Sequence, residues 1–135
     1  PGEMGDSLPT IINVASPVTV ASGAQHTCAL LTGGTVKCWG RGTNGQLGQG
    51  DAQARGDHAG EMAAIPAINL GTGRTAVGVA TGATHTCAIL DNNTVKCFGI
   101  DSGVNSYGQL GIGVLGDRGN LPNQMGDNLP AISLG

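Results

Sequence analysis

Four cysteines and two histidines stand in two matched settings: His26-Thr27-Cys28 with Cys38, and His85-Thr86-Cys87 with Cys97. Thiols and imidazoles so spaced can close a disulfide, ligate a zinc ion, or sit buried as small apolar groups. Which chemistry applies depends on the elements that carry them. Residues 26–31 and 35–39 alternate as strands on either side of Thr32-Gly33-Gly34, a hairpin reversal, and the second copy turns at Asp91-Asn92-Asn93, both suited to positive φ. With Leu31 facing Thr35, Cys28 falls opposite Cys38, and the same count sets Cys87 opposite Cys97. Directly opposed residues of a non-hydrogen-bonded antiparallel pair have Cα atoms about 4.5 Å apart, at the short end of what a disulfide tolerates. The spacing therefore predicts Cys28–Cys38 and Cys87–Cys97 disulfides. A metal reading competes. His26 shares a strand face with Cys28 and opposed Cys38, as His85 does with Cys87 and Cys97, yet structural zinc almost always takes four ligands and neither copy offers a fourth. Buried free thiols are the remaining alternative.

Catalysis has less support. His26 and His85 hold equivalent positions beside a threonine, which predicts a satisfied side chain bonded to backbone or hydroxyl. His58 has no counterpart, and no Ser or Cys carries a nucleophile signature. No enzymatic activity and no cofactor are expected. Arg55-Gly56-Asp57 matches an integrin-binding tripeptide, but Arg118-Gly119-Asn120 occupies the equivalent place, so a turn required in every unit is the simpler reading. Asn92-Asn93-Thr94 is an N-glycosylation acceptor at the expected hairpin tip.

Composition bounds the scaffold. Among 135 residues there are 25 glycines and only one Trp, one Tyr and one Phe, so packing must rely on Val, Ile, Leu and Ala in thin layers of short strands. Charged residues make up 11% and the net charge is −3, with no basic cluster of the kind nucleic-acid binders use. No apolar run reaches 18 residues, so no membrane span is expected.

Internal repetition organises the whole chain. His26, Thr27, Cys28, Val36, Lys37, Cys38 and Gly40 return as His85, Thr86, Cys87, Val95, Lys96, Cys97 and Gly99. Gly45-Gln46-Leu47-Gly48 returns as Gly108-Gln109-Leu110-Gly111 after a four-residue insertion in the loop Ile100 to Tyr107. A third element, EMGDSLPTI at 3–11, recurs at 61–68 and 124–135, so the two ends lie at one phase. The pattern predicts a first repeat over 1–71, with a leading linker strand, and a second over 72–135. Val18 to Ala21 and Val77 to Ala80 complete each unit as short strands. Leu47 is expected to plug toward the core, Gln46 to bond the neighbouring strand, and Trp39 and Phe98 to form a packing layer between units. Tyr107, in the insertion, is the expected exposed contact residue.

At these residues the sequence resembles the regulator of chromosome condensation repeat family. The matching pieces are His26, Ala29-Leu30-Leu31, Val36-Lys37-Cys38-Trp39-Gly40 and Gly45-Gln46-Leu47-Gly48. In the second unit they are His85, Ala88-Ile89-Leu90, Val95-Lys96-Cys97-Phe98-Gly99 and Gly108-Gln109-Leu110-Gly111. The resemblance implies an all-β fold of β-propeller blades, each of four short antiparallel strands. Two blades are fewer than the seven that close the familiar ring, so they stand open or are completed by neighbouring chains. Paired cysteines point to an oxidising compartment and so to an extracellular or cell-surface protein. A repeat cannot bury its apolar face alone. The expected role is a non-enzymatic structural protein assembling end to end, as a filament or surface scaffold, with copies of itself or further repeats of a longer chain as partners. The alternative is a segment of a larger closed propeller that binds a protein or glycan through the loops Gln49 to Ala59 and Ile100 to Tyr107.

Overall fold

The computed structural model describes residues 16–135, the Asn105 side chain excepted. The leading linker strand and the first Met-Gly-Asp segment lie outside the described residues. Six strands form two antiparallel sheets in the orders β1-β2-β3 and β4-β5-β6. The first contains β1 (Pro17–Ser22), β2 (His26–Leu31) and β3 (Val36–Gly40), and the second β4 (Ala76–Thr81), β5 (His85–Leu90) and β6 (Val95–Gly99). A four-residue helix, α1 (Glu61–Ala64), lies between the sheets in sequence.

Each hairpin turns where its residues allow. Leu31 N–H bonds Thr35 O at 2.9 Å while Gly33 and Gly34 take φ of 90° and 88°. In the second copy, of the three turn residues, only Asn93 enters the left-handed region, at 65°. The resulting register pairs Cys28 with Cys38 and Cys87 with Cys97.

Among the described residues a full fourth strand does not form in either blade. The segment after α1 touches β3 through Ile68 N–H to Val36 O, 2.8 Å, and the C-terminal segment touches β6 through Ile132 N–H to Val95 O, 2.8 Å. Pro66 and Pro130 stand two residues earlier, and a proline there removes a ladder donor, leaving a hydrogen bond at Val36 and Ile68 and an isolated bridge at Val95 and Ile132.

The apolar core is shared. One cluster runs from Cys28, Leu30, Val36, Leu47 and Ile68 of the first repeat to Ala88, Leu90, Phe98, Met125 and Leu129 of the second. Two thin sheets gain cohesion by burying the face between them, at roughly 25 cal/mol per Å2 of apolar surface removed from water. Among the described residues no helix is long and apolar enough to cross a membrane.

Candidate functional site: the joint between the repeats

The sulfurs are spent on each other. Cys28 is bonded to Cys38 across Cα atoms 4.0 Å apart, and Cys87 to Cys97 across 4.1 Å. This leaves no thiolate for the zinc reading, and His26 and His85 stand beside covalently closed cystines.

His26 points across the joint instead. Its Nε2 lies 2.9 Å from Thr86 Oγ1, whose own proton goes to Gln46 O at 2.8 Å. A hydroxyl has one proton to give. Thr86 must therefore accept from His26, so Nε2 carries the hydrogen and Nδ1, buried without a partner, is the bare nitrogen. Burial holds the His26 pKa below its ordinary value, with the nearby His85 main chain opposing the shift and the His85 charge adding to it. Burial likewise lowers that of His85, against the pull of Asp101. His26 is thus the satisfied histidine expected on one of its two nitrogens.

The Gly-Gln-Leu-Gly loop is the other half of the joint. Gly45 and Gly48 take φ of 79° and 65°, and the turn closes with Gly48 N–H on Gly45 O at 2.9 Å. Leu47 is buried as expected. A Cβ at Gly48 would stand 2.8 Å from Phe98 Cε2 and 3.1 Å from Met125 Cε, and one at Gly45 would collide with the Arg118 carbonyl. Side chains are excluded there because the second repeat's ring and main chain occupy the space. Gln46 departs from expectation: its Oε1 accepts Asn44 N–H at 2.8 Å within its own loop. Gln109 acts similarly, accepting Tyr107 N–H at 2.9 Å and donating to Ile100 O at 2.8 Å. A short amide side chain reaches its own turn before a neighbouring sheet.

In sequence, Lys96 is marked only by its recurrence after Lys37. Only 8% exposed, it donates to Leu70 O at 3.1 Å and Gly126 O at 2.8 Å, tying the inter-repeat connection to the C-terminal segment. Beside it Asp127 accepts Thr72 Oγ1–H and N–H at 2.6 and 2.9 Å. These bonds, with a smaller pull from Lys96, lower the carboxyl pKa.

Equivalent residues outside this joint are less covered. Phe98 is fully buried, whereas Trp39 is half-buried. Met125 is buried and Met62 half-buried; Gly45 and Gly48 are buried, Gly108 and Gly111 exposed. A Cβ at Gly108 would meet nothing within 4 Å, and one at Gly111 only Ile132 of its own repeat.

The remaining sequence candidates sit on the surface. Asp57 and His58 are exposed, joined at 2.8 Å, with Glu61 Oε2 3.6 Å from the ring, and these carboxylates raise the His58 pKa, Asp57 most. Arg55 is engaged by Asp51 at 2.7 Å. The tripeptide it begins mirrors Arg118-Gly119-Asn120: Gly40 and Arg55 exchange hydrogen bonds as Gly99 and Arg118 do. Asn92 is exposed, its Oδ1 taken by Thr94. Tyr107 is 84% exposed.

Two models of the regulator of chromosome condensation (RCC1) repeat match, one at residues 18–46 and 76–109 and the other at 33–89. The chain belongs to the RCC1 repeat family. It is 35% identical over 109 residues to mouse Protein RCC2, covering 79% of this chain and 19% of that protein. To the Arabidopsis thaliana ultraviolet-B receptor UVR8 it is 42% identical over 69 residues, covering 51% of this chain and 14% of that one. The chain thus spans about a fifth or less of these two relatives. Human WBSCR16 shares the fold, with a TM-score of 0.63 at 20% identity over 93% of this chain and 28% of that structure. As RCC1 repeats, the two sheets are propeller blades.

Proposed function

We propose that this chain is a non-enzymatic structural unit, two propeller blades whose end faces are completed by further RCC1-type repeats. The observation that carries the reading is the unequal burial of equivalent residues: Phe98, Met125, Gly45 and Gly48 are covered where Trp39, Met62, Gly108 and Gly111 are not. Half a joint at each end suits end-to-end assembly, as a filament or surface scaffold. The cystines suit an oxidising setting, outside the cell or at its surface.

A second reading, a protein- or glycan-binding segment of a larger closed propeller, draws on the loops of the second repeat. There Val104, Tyr107, Val114 and Leu115 are each exposed, a composition suited to an apolar protein contact.

A tandem fusion tests the main reading. Two copies are joined so that the shared Met-Gly-Asp segment occurs once, with residue 132 of the first followed by residue 12 of the second. A new internal joint adds a nearest-neighbour interface, so thermal stability rises above that of the single chain. Unchanged melting, with four folded repeats, refutes mating of the end faces.

A further inference from the structure

From the joint inside the molecule we infer a specific contact between separate copies of this chain, resting on the reading that its end faces accept RCC1-type repeats. The Gly108–Gly113 loop of one copy seats against Trp39, Met62 and the Arg55–Asp57 turn of the next. The internal joint supplies each counterpart. Gly45 abuts the Arg118–Asn120 main chain, Gly48 abuts Phe98 and Met125, and Gly50 N–H bonds Gly119 O at 2.9 Å. Moved on by one repeat, Gly108 abuts Arg55–Asp57, Gly111 abuts Trp39 and Met62, and Gly113 N–H reaches Gly56 O. The receiving residues are already held in place: a Cβ at Gly56 would stand 3.1 Å from Met62 Sδ and 3.2 Å from Trp39 Cβ. Thr27, half-buried, stands where Thr86 stands and takes the hydroxyl bridge between His85 and the Gln109 carbonyl.

The occupant is a second copy because one chain carries both halves with the same residue types. His85 repeats His26, Thr27 repeats Thr86, Gly-Gln-Leu-Gly is identical, and Trp39 fills the Phe98 slot. The two patches differ, so the contact is head-to-tail and propagates or closes into a ring. It also gives Arg55-Gly56-Asp57 a role as a receiving rim.

Two variants, each disabling one face, test the contact by analytical ultracentrifugation across dilution. Trp39→Ala empties the receiving slot. Gly108→Asn places a side chain where the internal joint has main chain, while leaving the isolated fold intact: Asn tolerates positive φ, here 75°, and the site is open. Thermal melts of each dilute variant verify folding. The wild type should grow in mass with concentration, and either variant alone should associate at least ~30-fold more weakly, the effect of losing a central anchor. An equimolar mixture should give dimers and nothing larger, since one good pair of faces remains. Trp39→Phe should restore growth. Wild-type mass fixed at the monomer up to high concentration overturns the inference, as does growth of both variants like wild type. If the tandem fusion is nevertheless stabilised, the end-face reading stands and only association between separate copies falls.

Discussion

At the scale of the residue, the joint depends on where single protons sit. His26 is neutral in the folded chain and holds its pKa below 6.5, so the unfolded chain takes up the proton first as the medium is acidified. The stability from this group is therefore complete above pH 6.5 and lost as pH falls below it, with a slope of at most about 1.4 kcal/mol per pH unit. His85 acts in the same sense, whereas the exposed His58, with its pKa raised, acts in the opposite one. Urea midpoints should fall between pH 7.5 and 5.5, and His26→Gln should flatten that fall. Phe98→Ala should cost about 3–5 kcal/mol as a buried ring, and Trp39→Ala about 1–2 kcal/mol in the dilute chain because part of the ring is already solvated. Matched denaturant curves measure the difference. The cystines were legible in sequence because turn length fixes cross-strand register. The partner of Gln46, the Asn44 N–H of its own loop, was not, because it is set by the fold of that loop.

Elements follow local chemistry closely enough that strand ends were legible to within a residue or two. The exceptions have physical causes. A four-residue helix such as α1 is too short to display a period, and a fourth strand implied by family likeness is cut by Pro66 and Pro130 to a hydrogen bond in the first blade and one isolated bridge in the second. Each cystine closes a short loop, for which the chain-entropy estimate is about 2–3 kcal/mol. Replacing Cys87 and Cys97 together by Ala should lower stability by that amount, and intact mass before and after reduction and alkylation should account for all four cysteines in two bonds. Glycine pairs separate strain from packing. Gly45 and Gly108 have nearly the same φ, 79° and 75°, so Ala at either incurs about 1 kcal/mol of backbone strain. Gly45→Ala must also displace the Arg118–Asn120 main chain, adding about 1–3 kcal/mol. Chemical denaturation of the two variants should rank them in that order.

For the whole molecule, two-fold repetition was plain in sequence, and the resemblance of the repeated residues to a known family carried the fold class. What repetition could not disclose is which surfaces are covered, since equivalent residues look alike until one set has a neighbour. That asymmetry is the central feature of this structure: one complete joint between the repeats and, among the described residues, two less covered halves of the same kind. The single tryptophan of the chain lies on one of those halves and reports on it directly. In the tandem fusion with Trp39→Phe in the first copy, the remaining Trp39 falls at the newly formed joint. Its emission should shift to the blue of the single chain's, and acrylamide should quench it less. Emission and quenching identical to those of the dilute single chain would contradict the account.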